Sequence, residues 1–145
     1  MIFWLLCHRR LATKSRLCHL GFLQNTTCHL CDKEENDNHI FFACEEYRKI
    51  WCAILNWLQI DHSPRAWDEE FIWIMNMGKG KGWRARLFKL AVTETVYGVW
   101  IHRNRGAFGQ PSDYTHIIHE ILDKIVYRGW TCKNLKTHIA CLMVC

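Results

Sequence analysis

Four side chains near the start of the chain have the spacing of a metal site. Cys28, Cys31, His39 and Cys44 follow one another as C-x2-C-x7-H-x4-C. Zinc binds three thiolates and one imidazole in tetrahedral sites, and a C-x-x-C pair presents two sulfurs from one tight turn. Four protein ligands leave no open position for water or substrate, so the pattern predicts one structural zinc ion. The competing interpretation is ordinary reduced cysteines, with His39 on the surface.

The residues between these ligands suit a turn followed by a helix start. Asp32, directly after the second cysteine, tolerates the left-handed backbone of a metal-binding turn, although glycine tolerates it better. The polar run that follows predicts a loop, and Asn36 or Asp37 is a candidate N-cap for a helix that carries His39 toward Cys44. We therefore expect the second ligand pair at a helix start.

The chain has the size and composition of one folded domain. It has 145 residues, half of them hydrophobic, including eight Trp and seven Phe, which is enough to build a packed core. Its nine cysteines are an odd number, no convincing signal peptide precedes them, and the apolar run 2–7 is too short to span a bilayer. We expect reduced cysteines and a location in the nucleus or cytoplasm, without secretion or membrane contact.

Helical periodicity recurs along the chain, and no strand pattern rivals it. Apolar residues at three- and four-residue steps predict helices over 44–58 and about 83–105, with a short helical segment near 71–75 between them. Residues 2–8 suit a buried helix. The predicted fold class is all-α, a small helical domain stapled by one CCHC zinc site near the N-terminus.

Two further segments are expected to place apolar residues inside this fold. Thr13 caps a short turn whose apolar residues face inward: Leu17, Leu20 and Phe22. Ser112 or Asp113 starts the last helix. That helix carries a double apolar seam, formed by Ile117, Ile118, Ile121, Leu122, Ile125 and Val126.

The chain divides on this basis into three parts. Residues 1–60 form a zinc-binding module, and 61–82 form a connector that includes a basic Gly-Lys loop. Residues 83–145 form a C-terminal helical pair with a tail from Cys132 onward that has no clear role.

Positive residues are clustered along a chain of net charge +5. The clusters are candidates for contacts with nucleic-acid phosphates, and the alternative is a solvated charged face. Trp83, in the second cluster, is the aromatic residue best placed to stack on a base, whereas Trp51, Trp57 and Trp100 lie on apolar faces. The candidate nucleic-acid residues are Arg9, Arg10, Lys14, Arg16, Lys79, Lys81, Trp83, Arg84, Arg86, Arg103 and Arg105.

Other chemistry has weaker support in the sequence. His116 and His119 lie one helical turn apart without a third metal ligand. A C-terminal set matches no zinc module that spacing defines: Cys132, His138, Cys141 and Cys145. The Gly-Lys loop lacks the order of a phosphate-binding loop, and no nucleophile elbow, carboxylate cluster or paired-aspartate motif occurs. We expect no enzymatic activity.

Two segments of this chain resemble a known family. The run from Leu11 to Leu17, the ligand set with Ile40-Phe41-Phe42 after its histidine, and Trp51 resemble the zinc-binding domain of reverse transcriptases in plant LINE-type, non-LTR retrotransposons. The run from Val99 to Phe108 looks like the W-x-x-R-N-R-x-x-F segment that commonly follows that domain. The likeness covers roughly residues 2–126.

The resemblance implies the same four metal ligands that the spacing indicates. This sequence departs from the family at two positions, where Asp32 replaces the usual glycine and Leu30 replaces a common proline. The polymerase, endonuclease and ribonuclease H domains of such polyproteins are not in this sequence.

The function implied is non-catalytic. The domain would hold template RNA or target DNA through its phosphates, weakly and with little sequence selectivity, for a polymerase encoded elsewhere, and other retroelement polypeptides are further candidate partners. Two alternatives stay open. One is a protein-interaction module that docks a partner on the basic helices and the double seam. The other is a translated remnant without function.

Overall fold

The structure is a computed structural model that describes residues 1–107, 109 and 113–144. Its regular elements are α1 (Ile2–Cys7), α2 (Lys14–His19), a π-helical turn (His39–Ala43), α3 (Glu45–Trp57), α4 (Trp67–Met77), α5 (Trp83–Ala107), α6 (Tyr114–Thr131) and α7 (Lys136–Val144). The described residues form no strand, and their one β-type pairing is an isolated bridge between Thr27 and Glu34. The all-α prediction is confirmed.

Helix α5 is the centre of the fold. It packs against α1, α3, α4 and α6, and its buried side chains include the polar Glu94, Thr95 and Arg103. A helix with neighbours on several sides lacks the narrow apolar stripe of a surface helix, and Lys89, Thr93 and Tyr97 mark the face of α5 that stays exposed. Helix α6 also packs on α3, and α7 packs on α6.

Two glycines let helices in this assembly approach closely. A Cβ on Gly98 of α5 would lie 2.5 Å from Cγ1 of Ile121 in α6. A Cβ on Gly129 of α6 would lie 1.9 Å from Cδ1 of Ile139 in α7. Both isoleucines are fully buried, so each fills the space that its facing glycine leaves.

A buried carboxylate fixes α4 and the loop before it. Glu70 has no exposed surface and accepts hydrogen bonds from Trp51 Nε1 of α3 at 2.8 Å, from His62 Nε2 at 2.8 Å and from the backbone N–H of Arg65 at 2.9 Å. The ring of His62 stacks on Trp73 with centroids 3.5 Å apart. The acid is satisfied by three donors, which is the condition for burying such a group.

Most of the expected helices are present, with shifted ends. The helix expected over 44–58 is α3, which starts one residue later because Cys44 is extended. The segment near 71–75 lies inside α4, and the long helix is α5. Asp113 caps α6 by accepting from the backbone N–H of Thr115 at 3.2 Å, whereas Ser112 lies outside the described residues. None of the helices in the described ranges is both long enough and apolar enough to cross a membrane.

The inward orientation predicted after Thr13 is wrong in part. Leu20 and Phe22 are 55% and 74% exposed, and Leu17 is half-buried. Helix α2 ends in a turn at Gly21, which has a φ of +80° and sends the chain outward. Residues 2–8 do form α1, but only Leu6 of that helix is fully buried, since α1 covers one side of α5.

An ion pair joins the predicted metal-binding segment to the central helix. Glu35 has no exposed surface, and its Oε1 accepts from Arg103 Nε at 3.1 Å and from the backbone N–H of Lys14 at 2.8 Å. Arg103, on α5, is 6% exposed. A buried charge requires a paired charge, so Glu35 holds the segment in one position on α5 and at the start of α2.

We predict that Arg103→Met destabilises the protein by about 3–5 kcal/mol, because it leaves the Glu35 carboxylate buried without its counter-charge. Urea unfolding at neutral pH measures the change. The control is Arg105→Met on the same helix, whose side chain is 48% exposed and lies 3.6 Å from Glu120. It should change stability by about 0.5 kcal/mol or less. Equal effects of the two substitutions would contradict the role given to Glu35.

Candidate metal centre

The first two ligands lie on a short hairpin-like turn. The backbone N–H of Cys28 donates to the carbonyl of Lys33 at 2.8 Å, and that of Glu35 donates to Thr26 at 2.8 Å. Asp32 has a φ of +56°, as the sequence predicted for the residue after the C-x-x-C pair. The backbone N–H of Leu30 lies 3.5 Å from the Cys28 sulfur. The turn therefore presents both sulfurs on one side.

The other two ligands lie at the two ends of the π-helical turn. Asn38 directly precedes this turn, and Asn36, one of the two predicted caps, accepts a hydrogen bond through its side-chain oxygen from the backbone N–H of His39 at 2.9 Å. The backbone N–H of Cys44 donates to the carbonyl of His39 at 2.7 Å. Cys44 itself is extended, with a ψ of 122°, and α3 begins at the next residue. The second ligand pair thus comes from one turn and the cap of the helix that follows.

The four side chains converge on one point. Their ligand atoms all lie within 4.8 Å of one another. The Cys31 sulfur is 3.1 Å from Nε2 of His39 and 3.8 Å from the Cys44 sulfur. Bond lengths of about 2.0–2.3 Å to zinc imply ligand separations of roughly 3.3–3.8 Å in a tetrahedron, and the observed 3.1 Å and 3.8 Å lie close to this range, so the cluster has about the size of a zinc site. The zinc site predicted from the spacing is confirmed.

The electrostatics of the side chains alone favour a cation. The thiol of Cys44 donates to the Cys28 sulfur, which lowers the pKa of Cys28 to about 4 and raises the pKa of Cys44. Without a metal, the thiolate form is favoured at Cys28 and disfavoured at Cys44. A bound dication supplies the positive charge that lets Cys44 ionise as well, so metal binding and thiol deprotonation are coupled.

The central helix α5 packs closely against the residues of the metal centre. A Cβ on Gly106 of α5 would lie 2.4 Å from Nε2 of His29, so only glycine leaves space for the histidine inside the C-x-x-C turn. The hydroxyl of Tyr47 on α3 is 3.4 Å from the same nitrogen, and its ring meets His102 of α5 edge-on. Burial lowers the pKa of His29 and raises the pKa of Tyr47, which favours the neutral form of both groups beside the metal ligands.

Two of the predicted phosphate-binding residues instead hold this centre together. Arg103 is buried against Glu35, so little of its side chain is accessible to a phosphate. Lys14 is half-buried, and its Nζ donates to the carbonyl of Thr27 at 2.6 Å. The sequence alone gave no measure of this burial, since both residues belong to positive clusters.

The remaining cations lie on the surface. Arg9 pairs with Asp68 at 2.7 Å, and Arg16 donates to the carbonyl of Arg9. Arg105 lies near Glu120. Arg10, on the segment after α1, is exposed. The cations just before and within the first turn of α5 are exposed as well: Lys79, Lys81, Arg84 and Arg86. Nothing in this arrangement tests their contact with nucleic acid, which stays a prediction.

Trp83 is not an open stacking platform. It is half-buried, and its ring stacks on His138 of α7 with centroids 3.8 Å apart and planes 3° from parallel. The guanidinium of Arg84 also lies 5.0 Å from the Trp83 centroid. A base would have to displace the imidazole to use that face, and base stacking by Trp83 stays a prediction.

The other metal sets gain no support from the described residues. Within them, Cys28, Cys31, His39 and Cys44 are the one group of three or more potential ligands close enough to share an ion. His138 is stacked on Trp83, Cys132 and Cys141 are exposed, and Cys145 lies outside the described residues. His116 lies 3.8 Å from Glu120, but no third ligand joins it and His119.

Sequence reasoning missed Glu35 as the residue that positions the centre. It lies in the polar run between Cys31 and His39, which is typical of a solvated loop. Its location within a ligand loop, together with an Arg-Asn-Arg motif elsewhere in the chain, is the only available signal, and that signal names no partner.

We predict one zinc ion per chain, bound by three sulfurs and one nitrogen. Replacement of zinc by cobalt should give the absorption of a tetrahedral thiolate complex, and Cys44→Ser should reduce metal content and that absorption, because it removes a ligand. The matched control is Cys52→Ser, an exposed cysteine on α3 outside the ligand set, which should keep full metal content. Full retention of zinc by Cys28→Ser, Cys31→Ser and Cys44→Ser alike would refute the site.

Removal of the metal should loosen the hairpin-like turn before the rest of the fold. Backbone amides of Cys28 and Glu35 should lose protection from hydrogen exchange on chelation, because zinc joins this turn to the π-helical turn. Amides at Ile121 and Ile125 of α6, in the buried core, serve as the control and should stay protected longer. Simultaneous loss of amide protection in the hairpin-like turn and in α6 would contradict a local role for the ion.

Comparison with known proteins agrees with the metal centre. Residues 1–51, which include all four ligands, match the family described as zinc-binding in reverse transcriptase. No curated protein matches the chain. No solved structure matches it either. The matched family is a zinc-binding region rather than a catalytic motif, and the first third of this chain is accordingly similar to a reverse-transcriptase zinc-binding domain.

Proposed function

We propose that this chain is a non-catalytic zinc domain that binds the phosphates of RNA or DNA through the start of α5. The observation that carries the proposal is a set of cations without counter-charges, which we call the basic segment: Lys79, Lys81, Arg84, Arg86 and Lys89. All are exposed, and within the described part of the chain no carboxylate forms an ion pair with any of them.

The number of unpaired cations distinguishes the basic segment from the other positive clusters, since among the described residues of the N-terminal cluster only Arg10 and Arg16 are exposed without a carboxylate partner. Arg9 and Arg105 each have a carboxylate within ion-pair distance, and Arg103 is buried. Five like charges within eleven residues raise the local potential and attract a polyanion. The C-terminal cluster lies on the same helix about 30 Å away, at 1.5 Å per residue, so the two ends of α5 do not form one patch.

A protein-interaction role has less support. The double apolar seam that would dock a partner is largely occupied within the chain, since Ile117, Ile121 and Ile125 are 0–2% exposed. The remaining seam residues, Ile118, Leu122 and Val126, also pack against the core. The seam faces inward and offers little surface to another chain.

The origin of the domain and its location in the cell are part of the same proposal. Similarity of residues 1–51 to zinc-binding in reverse transcriptase supports an origin in a retroelement, and the W-x-x-R-N-R segment at 100–105 supports the LINE type. We propose that the domain serves a polymerase encoded elsewhere, in the nucleus or cytoplasm. Its contacts are with phosphates and carry little sequence selectivity.

Salt dependence tests the phosphate contacts. Each phosphate neutralised on a single strand contributes about −0.7 to the log-log salt slope, so four to five contacts predict a slope of about −3. Replacing Lys79, Lys81, Arg84 and Arg86 by Gln should bring the slope close to zero and weaken binding at low salt. Titration of a labelled single strand at several salt concentrations measures both quantities.

The control for that variant removes the same charge elsewhere. Gln at four exposed lysines, Lys33, Lys49, Lys124 and Lys133, lowers the net charge equally but leaves the basic segment intact. Its slope should stay near that of the unchanged protein. Equal losses in the two variants would show that net charge, and not the basic segment, attracts the strand.

The domain alone should neither extend a primer nor cut nucleic acid. The two-metal chemistry of those reactions uses clustered carboxylates, whereas the most buried acids here, Glu35 and Glu70, are each bonded to donors of their own fold. Magnesium-dependent extension or cleavage by the purified chain, abolished by a point substitution within it, would contradict the non-catalytic role.

A further inference from the structure

An apolar cleft opens directly beside the basic segment. It has a volume of about 310 Å³ and lies between the end of α3, the end of α4, the start of α5 and α7. Its apolar walls are Leu58, Ile60, Met77, Phe88 and Leu142. Two polar side chains, Gln59 and Arg84, also line it. Arg84 belongs to the basic segment, so the cleft and the positive surface share a boundary.

We propose that this cleft holds one unstacked base of a single-stranded nucleic acid whose phosphates lie on the basic segment. The inference rests on the proposed function and assigns a base-binding site to it. A purine or pyrimidine ring is flat and largely apolar, with polar edges, and the cleft combines apolar walls with a side-chain amide and a guanidinium. Its volume is at the lower end of the range for small-ligand sites, which suits one ring system.

The position of Trp83 supports the cleft over open stacking. Its ring lines the cleft, while one of its faces is covered by His138. The stacked imidazole fixes the indole in place, so Trp83 acts as a rigid wall. A base that enters the cleft gains apolar contact with that wall without displacing α7.

Charge complementarity favours a single-stranded nucleic acid as the occupant of the cleft. Lys81 and Arg84 flank Trp83 in sequence, and the basic segment has no carboxylate partner within the described residues. A ligand that brings several negative charges along with an apolar ring therefore suits both the cleft and the basic segment. A single strand supplies both in every nucleotide, whereas a base within a duplex is stacked and paired and cannot enter without being extruded.

Two strands that differ only in their bases test the proposal. One is a twelve-residue oligothymidine, and the other is an abasic strand of equal length and charge. The intact protein should bind oligothymidine about tenfold more tightly, with equal salt slopes, because inserting a base releases no counterions. Met77→Trp, which fills the cleft from the end of α4, should remove this preference and leave the abasic affinity and the salt slope unchanged.

The matched control is Met75→Trp on the same helix. Met75 is 49% exposed, similar to Met77 at 39%, but it lines a separate groove with Phe3 and Val92. This variant should keep the tenfold preference, and both variants should keep one zinc per chain. Equal binding of the two strands by the intact protein, or a preference that survives Met77→Trp, would overturn the base site while leaving phosphate binding in place. Absence of salt-dependent binding to either strand would overturn both proposals.

Discussion

The pairing of Glu35 with Arg103 is the contact on which the arrangement of the metal centre depends. A carboxylate without exposed surface has lost its hydration, and a guanidinium on the central helix compensates for that loss. The same carboxylate oxygen receives the first backbone N–H of α2. Because three separate parts of the chain meet at one oxygen, the metal-binding turn has a fixed position on the helices. Zinc alone would join the turn only to the π-helical turn and Cys44.

This pairing also extends the structural unit beyond the matched family segment. Residues 1–51 contain the ligands and Glu35, but Arg103 and Gly106 lie on α5. The segment with W-x-x-R-N-R spacing is therefore a physical partner of the zinc ligands, since its arginine neutralises Glu35 and its glycine leaves space for His29. Two motifs far apart in sequence form one structural unit. The division of the chain at residue 60 stays a prediction, although the buried core continues across that point.

Local patterns in the sequence were sufficient for the ligands and for most helices. The Cys28 and Cys31 spacing, the hydrogen bond to Asn36 and the left-handed Asp32 are properties of a few neighbouring residues, and each was predicted correctly. The buried acids Glu35 and Glu70 were not found, because the cost of burying them is offset by donors from distant segments. The burial of Arg103 was not found for the same reason, since charge alone does not distinguish a solvated cation from a buried counter-ion. Phe22 was misplaced because an apolar residue after a glycine turn need not face the core.

The π-helical turn explains why the last two ligands are separated by four residues. In an α-helix, a residue five positions on lies about 140° around the axis and 7.5 Å along it, which would point Cys44 away from His39. The hydrogen bond from the Cys44 N–H to the His39 carbonyl widens the turn by one residue and brings the two side chains to the same side. The H-x4-C spacing therefore depends on the π-helical geometry of the backbone as well as on the choice of ligands. Insertion or loss of a single residue between them would remove the metal site while leaving every ligand in the sequence.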